Sequence, residues 1–332
     1  EQLAEIKRLV VEVATDTAVL NADDPLCLAM ADYTESEHLC YVTMNPKHGL
    51  VREHIRSGGR AVVLEQGING DMITLFDNGS HIPLLWTHLI PATMEGKATH
   101  NVQNAMFAAG LAFSLGKRLE DISHGLRTFA TSFFQAPGRM NVYDEHPFKV
   151  ILDYAHNADA VQKMSQLVAR LDTDGRKVAV LAAPGDRRDE DVENIARAAA
   201  GAFDYYILKR DDNLRGRGEL EVPTLLRDTL LAAGVDAERV EIIADEQLAV
   251  EGGLKACHGG DLLVIFGDDV TRCWKQIVHF EAGGGARPPL ESTPTLSRVF
   301  APEEAEEFVL QEGQRLIRDE RGVRLAKDEQ GD

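Results

Sequence analysis

The stretch VILDYAHNADAVQKMSQLVARL, residues 150–171, decides the fold. Val150, Ile151 and Leu152 form a short unbroken apolar run that stops at Asp153, and from Ala158 onward apolar residues return at helical spacing. A buried strand, a polar turn and an amphipathic helix in direct succession make the first half of a βαβ unit. The pattern then repeats. Residues 178–181, 205–208, 240–243 and 262–266 read as strands, and 190–202, 223–233 and 246–257 as the helices between them. This alternation predicts an α/β domain around a mostly parallel sheet, with right-handed crossovers and ligands beyond the carboxyl ends of the strands.

Upstream the rhythm differs. Residues 1–14 are helically spaced, and a β-rich run at 17–20 ends in the turn-like Asn21-Ala22-Asp23-Asp24-Pro25. A strand at 38–43 and a helix at 50–55 precede three strand-like runs, 60–66, 72–76 and 81–85. Gly67-Ile68-Asn69-Gly70 and Asp77-Asn78-Gly79 separate those runs, the latter a hairpin signal. Helices are expected at 101–115 and 119–129. Gln135-Ala136-Pro137-Gly138-Arg139 breaks the pattern and marks a domain boundary. The chain thus divides into 1–136, 137–282 and a charged tail, 283–332, that opens with Gly283, Gly284, Gly285, Pro288 and Pro289. Residues 302–332 read as a peripheral helix or tail.

Charge narrows the function classes. The 332 residues carry 35 Lys and Arg against 54 Asp and Glu, a formal net charge of -19. Like charges repel phosphate, so neither a nucleic-acid nor an anionic-membrane surface is expected, although a local basic pocket is compatible with the balance. No run approaches the roughly 18 apolar residues of a membrane span. Cys27, Cys40, Cys257 and Cys273 lack CxxC or zinc spacing and read as reduced thiols of a cytoplasmic protein without a metal site. The chain opens at Glu1 inside a helical pattern, as a portion of a longer protein would.

Four polar constellations lie at strand ends or helix starts. In Gly96-Lys97-Ala98-Thr99-His100-Asn101-Val102-Gln103-Asn104, the Asn104 amide offers the donor and acceptor that an adenine edge needs, or Thr99 or Asn101 caps the helix. Asp153 can accept from a ribose hydroxyl while Arg139 covers a phosphate, with His156 nearby; the alternative is an Arg139–Asp153 salt bridge. Ala183-Pro184-Gly185-Asp186-Arg187-Arg188-Asp189 is neither GxGxxG nor a P-loop. Lys209-Arg210-Asp211-Asp212-Asn213-Leu214-Arg215-Gly216-Arg217 mixes carboxylates and guanidinium groups that can hold both ends of an amino acid: Arg215 for its carboxylate, Asp211 or Asp212 for a guanidinium. The alternative is a solvated loop. No GxxxxGK[ST] occurs.

Asn21-Ala22-Asp23-Asp24-Pro25, His100-Asn101-x-x-Asn104, Pro137-Gly138-Arg139-Met140 and Asp153-Tyr154-Ala155-His156-Asn157 stand in the order typical of Mur ligases, and the chain resembles that superfamily from residue 1 to about 280. Within it, Gly185-Asp186-Arg187-Arg188-Asp189, the 211–217 loop and Gly267-Asp268-Asp269 look most like the cyanophycin synthetase branch. The resemblance implies the later part of a Mur-type ATPase central domain, without its P-loop, followed by a Rossmann-like C-terminal domain. It implies a ligase that uses ATP to turn the aspartate side-chain carboxylate of a poly-aspartate backbone into an acyl phosphate, which the amino group of arginine then attacks. ATP and Mg²⁺ are the implied cofactors, the metal ligands lying mostly outside this chain, and the parent is expected to be a homo-oligomer. Asn104, Arg139, Asp153, His156 and Asn157 match nucleotide-side motifs, and Asp211, Asn213 and Arg215 stand where related ligases read the incoming amino acid; no catalytic residue is assigned. The alternatives are a Mur ligase for peptidoglycan precursor or polyglutamyl folate, or a non-catalytic binding fragment.

Overall fold

The computed structural model describes residues 2–281, 308–311 and 313–327, and its contacts divide them into two units, 2–129 joined by the C-terminal residues, and 130–281. The first unit begins with α1 (Gln2–Glu12), β1 (Thr17–Asn21) and α2 (Pro25–Ala29). Asp24 caps α2 by accepting from the N–H groups of Leu26 and Cys27, with Pro25 leading the helix. β2 (His38–Thr43), α3 (Gly49–Arg56), β3 (Arg60–Gly67), β4 (Gly70–Asp77) and β5 (Ser80–Trp86) follow, then α4 (Thr99–Ser114) and α5 (Leu119–Thr128). The sheet runs β1-β2-β3-β4-β5, parallel over its first three strands and antiparallel over its last three. Asn78 and Gly79 both take positive φ, the backbone a two-residue hairpin turn needs. Both sheet faces are apolar: Leu39, Tyr41 and Val63 pack with Leu50 and Val51 of α3, while Val42, Val62 and Ile73 pack with Val102 and Met106 of α4.

The second unit contains β6 (Asn141–Tyr143), β7 (Lys149–Asp153), α6 (Ala158–Arg170), β8 (Lys177–Leu181), α7 (Asp189–Ala199), β9 (Tyr205–Leu208), α8 (Glu221–Ala232), β10 (Val240–Ile242), α9 (Glu246–Ala256), β11 (Leu262–Phe266) and α10 (Val270–His279). Its order is β10-β9-β8-β11-β7-β6, parallel except for the β6–β7 pair. The chain steps outward from β7 through β8 and β9 to β10, then returns to insert β11 beside β8. With right-handed crossovers, that return places α9 on the face opposite α6, α7 and α8. Accordingly α6, α7 and α8 pack in sequence, and α10 packs on α9. The helices that follow β8 and β11 therefore leave to opposite faces, which makes these neighbouring strands the switch point of the sheet. β6 and α10 are additions to the expected pattern; α10 buries only Cys273 and Ile277 of its ten residues, too sparse an apolar face to stand out.

Side chains lock the loops at this edge. Glu246, fully buried at the start of α9, meets Lys209 Nζ at 2.9 Å and pairs with Arg272. It also accepts from the N–H groups of Asp268 at 2.7 Å and Asp269 at 3.2 Å. Burial alone would lift the Glu246 carboxyl, but Lys209, with the Asp268 N–H and Arg272, holds it down to about 2. Arg272 also grips Asp212 at 2.6 Å. Arg217 donates to the carbonyls of Gly185, at 3.0 Å, and Arg187. A Cβ at Gly185 would stand 2.4 Å from the Leu214 carbonyl oxygen, so glycine permits the 183–189 and 209–218 loops to touch.

Where a peripheral helix or tail was expected at 302–332, the described part forms a hairpin, β12 (Gln314–Asp319) and β13 (Gly322–Lys327), that completes the first unit's core. Val323 and Leu325 are buried in the cluster that holds Leu39 and Leu50. Buried His54 fixes the attachment: Nδ1 accepts from the Val323 N–H at 3.0 Å, and Nε2 faces the carbonyls of Leu39 and Arg60. The remainder of 283–332 lies outside the described residues. Among the described residues no helix is long and apolar enough to cross a membrane, and the four cysteines are free.

Leu325→Ala should lower the unfolding free energy by about 2–5 kcal/mol in urea titration, the usual cost of emptying a core site; an unchanged midpoint would show the hairpin to be peripheral. Glu246→Gln should cost about 3–5 kcal/mol near neutral pH, because it leaves Lys209 buried without a counter-charge. The ordinary value for this carboxyl is 4.5 and its folded value about 2. Its stabilisation is therefore complete above 4.5 and lost as pH falls towards 2. Urea titrations across that interval should show wild type and variant converging.

Candidate functional site

A cavity of about 220 Å³ opens at the switch point of the second unit, among the loops that follow β7, β8, β9 and β11. That is smaller than the roughly 300–1,000 Å³ of drug-sized pockets and suits one amino acid better than a nucleotide. Its charges come from different strands: His156 after β7, Arg187 after β8, Lys209, Asp211 and Arg215 after β9, and Asp268 after β11.

The two carboxylates differ in burial, Asp268 being half-buried. Asp211 is only 8% exposed and accepts from the Asn213 N–H at 3.1 Å. Asp268 accepts from the Asp212 N–H at 3.2 Å and lines the same cavity as Asp211. Burial first, and then Asp211, push the Asp268 carboxyl above its ordinary value. On the basic side, Lys209 is fully buried and its Nζ has no partner among the described residues beyond the Glu246 ion pair. Arg187 Nε is likewise a buried donor without a partner.

The structure gathers only some of the residues singled out in the sequence. Asp211 and Arg215 line the cavity, with Arg215 half exposed and ion-paired to Asp186. Asn213 shapes the turn instead, accepting from the Arg215 N–H at 3.1 Å. Asp212, the other carboxylate considered for a guanidinium, is committed to Arg272. The 209–217 stretch is therefore not a merely solvated loop. Lys209 and Asp268 were quoted in motifs without a role, and nothing in their local spacing announced that β9 and β11 end side by side. Glu246 was given no role beyond opening the helix at 246–257, and in the structure it follows the Asp245 cap in the first turn of α9. Arg272 sits on α10, a helix missing from the sequence reading.

The motif residues proposed for nucleotide contact have other neighbours. Asp153 uses one oxygen to accept from the Met140 N–H and the other from the Ala155 N–H, both at 2.8 Å. Burial raises its carboxyl despite those two donors. The alternative Arg139–Asp153 salt bridge is not formed: exposed Arg139 stands over the Tyr154 ring, 5.9 Å from its centroid, and has no ion pair among the described residues. His156 Nδ1 faces the Tyr154 carbonyl at 3.0 Å, leaving the rest of the ring to the cavity edge. Asn157 caps α6, accepting from the Ala160 N–H at 2.9 Å. In the first unit, Asn104 is exposed on α4 and donates to Asn101 Oδ1 at 3.2 Å. The N-cap of α4 is Ala98 with no side-chain cap bond, so the capping alternative for Thr99 and Asn101 fails; Asn101 instead donates to the Ala92 carbonyl at 2.8 Å.

Among the described residues no three His, Cys, Asp or Glu side chains stand together as a metal site, so no metal is assigned a place on them.

Residues 138–268 match the Mur ligase, glutamate ligase domain, a span that runs from the Pro137–Met140 turn to Asp268. The chain is 38% identical over 274 residues to cyanophycin synthetase of Crocosphaera subtropica and 39% identical over 283 residues to that of Trichormus variabilis. These alignments take in 82% and 83% of this chain, but the chain spans only 30% of the length of either relative. A murein peptide ligase from Psychrobacter arcticus shares the fold with a TM-score of 0.58 at 14% identity, over 84% of this chain and 55% of that one. Residues 138–268 therefore carry the Mur ligase, glutamate ligase domain.

Proposed function

We propose that this chain is the amino-acid-receiving portion of an ATP-dependent ligase that joins arginine to the aspartate side-chain carboxylates of a poly-aspartate backbone. The observation that carries this reading is the cavity at the switch point, whose lining brings together nearly buried Asp211, half-buried Asp268, fully buried Lys209 and the buried Arg187 Nε. A free amino acid with a cationic side chain is bipolar in the same sense, and buried groups of each sign favour ligand groups of the other. The similarity to cyanophycin synthetases over 82% of the chain supports the choice among amino acids.

In this reading ATP phosphorylates the aspartate carboxylate, giving an acyl phosphate and ADP. The α-amino group of arginine attacks the acyl carbon, phosphate leaves, and the amine loses a proton. The second unit's contribution is to bind arginine, hold its two charged ends and present its amine. Asn104, exposed Arg139, and the Asp153 loop with His156 and Asn157 are proposed for the nucleotide side. Arg139 supports this most directly, since it stands exposed over the Tyr154 ring with no ion pair to a carboxylate among the described residues. A soluble cytoplasmic setting and a homo-oligomeric parent belong to the same proposal.

Calorimetric titration of the 332-residue chain should show saturable arginine binding, weaker lysine binding, and little or none of glutamate. Asp211→Asn should weaken arginine by about ten- to a hundredfold, the loss of a charge-assisted hydrogen bond. Binding of glutamate or diaminopimelate in place of arginine would move the chain to another Mur ligase reaction. The purified chain by itself should not turn over ATP with magnesium, because no GxxxxGK[ST] cradle for the phosphates is encoded in it. Turnover free of contaminating ATPase would overturn that division of labour.

A further inference from the structure

We propose that the first unit holds a binding site for an acidic peptide, in a basic-rimmed cavity between α3 and the β3–β4 strands. The site is argued from its own residues. Only the choice of aspartate as the acid, and so of a poly-aspartate backbone as the ligand, rests on the ligase reading above.

The cavity lies where the chain leaves β2 and turns into α3, and it measures about 470 Å³, within the range of pockets that hold ligands. Its floor is apolar: Val51 and Val63 are buried, and Ile55 and Phe76 are half-buried against the same core. Its rim is basic. Lys47 and Arg52 stand exposed on it, and neither side chain has an ion pair or hydrogen bond among the described residues. Arg56 adds a third cation, paired only with Glu53 beside it on the helix, and an exposed pair of that kind contributes little. Glu65, the carboxylate among the described lining residues, already has His81 at 2.8 Å.

The wall that carries these cations is fixed before a ligand arrives. Asp23 accepts from the Thr43 hydroxyl and, at 2.7 Å, from the Met44 N–H. Thr43 Oγ1 accepts from the Asn45 N–H at 3.0 Å, and Asn45 Oδ1 from the Lys47 N–H at 2.9 Å. His48 then caps α3 through Nδ1. The loop uses its side-chain acceptors on its own backbone and leaves the Lys47 and Arg52 charges to the rim.

Charge and spacing choose the ligand. The chain carries a net charge of -19, so most of its surface repels a polyanion and a local basic rim attracts it. Arg52 and Arg56 are one turn apart on α3, which sets their Cβ atoms about 6 Å apart. Alternate side chains of an extended peptide recur at nearly the same interval, about 6.6 Å. Two aspartates on one side of such a peptide therefore meet the two guanidinium groups in register, and a third reaches Lys47. The apolar floor takes the peptide's methylene groups and lowers the local dielectric, which strengthens the ion pairs above it. A free aspartate cannot span the three cations, so the polymer is favoured by multivalence.

The test is fluorescence anisotropy of labelled deca-aspartate titrated with the 332-residue chain. Wild type should bind saturably, and more weakly as salt rises. Arg52→Glu should weaken binding by about tenfold or more, and so should Lys47→Glu, the second variant should the first fail to fold by circular dichroism. Lys117→Glu makes the same change in net charge at an exposed position away from this cavity and should leave binding as it was. No saturable binding by wild type, equal weakening by Lys117→Glu, or displacement of the peptide by comparable concentrations of free aspartate or ATP overturns the proposal. Glu303, Glu304, Glu306 and Glu307 precede Phe308, whose ring lies 4.9 Å from that of His48, so the chain's own acids are the rival occupant. Binding that emerges only after all four are changed to Gln gives the cavity to them and overturns the proposal too. Calorimetry with arginine on the same samples separates the two readings. Peptide binding without arginine binding overturns the ligase reading and leaves this site standing; arginine binding without peptide binding overturns this site alone.

Discussion

Glu246 has no contact with water and yet remains ionised, held between Lys209 and Arg272 with two backbone N–H groups completing its shell. Removing charges from water is expensive, and a buried pair often repays no more than that cost. What Glu246 contributes here is register. Lys209 begins the loop after β9, Asp268 and Asp269 form the turn after β11, and Arg272 belongs to α10 and reaches Asp212 in the β9 loop. One carboxylate therefore fixes three segments that hydrophobic packing of the helices would leave free to slide. If Glu246 were apolar, Lys209 would seek another anion, and the nearest carboxyls in the cavity are Asp211 and Asp268. The buried pair is thus what keeps the pocket's own carboxyls available.

The same constraint explains which parts of the molecule could be read from the sequence. Strands such as Leu262–Phe266 are buried at every position, and continuous apolar runs between amphipathic helices announce a parallel sheet without ambiguity. Strand order is not written locally. That β11 returns to lie between β8 and β7 depends on long-range packing, and this placement brings Asp268 to Asp211 across a gap of 57 residues in the chain. Motif reading found the loops, whose turn chemistry is local, as in Asp211–Asn213–Arg215. It could not say that Asp212 is taken by Arg272.

The C-terminal hairpin failed to show for a different reason. Gln314–Asp319 and Gly322–Lys327 hold short apolar pairs, Leu316-Ile317 and Leu325-Ala326, between charged residues, without the strict alternation that announces a strand, so the segment resembles a solvated tail. Their docking is made by a histidine far away in the chain. A Cβ at Gly322 would stand 2.3 Å from His54 Nδ1, and Gly322 has φ +113, so only glycine lets the strand approach the ring. His54 must also be neutral to accept from Val323, and burial lowers its pKa from the usual value in the direction that keeps it so. Arg324 paired with Asp32, and Arg321 bonded to the Thr34 carbonyl at 2.6 Å, then turn the hairpin's charges into attachments.

A strongly acidic chain that gathers buried basic donors and two carboxyls in one cavity is not minimising its charge repulsion; it is arranging charges of opposite sign a few side chains apart. A bound amino acid carries the complementary arrangement, positive at its side chain and negative at its carboxylate. In a site of low dielectric each end reinforces the other, because the ligand's own dipole is stabilised by fixed groups that need not reorganise. The loops supply that rigidity: Gly185 against Leu214, Arg217 across the 183–189 loop, and Glu246 beneath. In the reading proposed above, selectivity for a cationic amino acid follows from the number of uncompensated carboxyls. The acids at 186, 212 and 246 each have a cation already, so the two that remain, Asp211 and Asp268, count the charge that the ligand must bring.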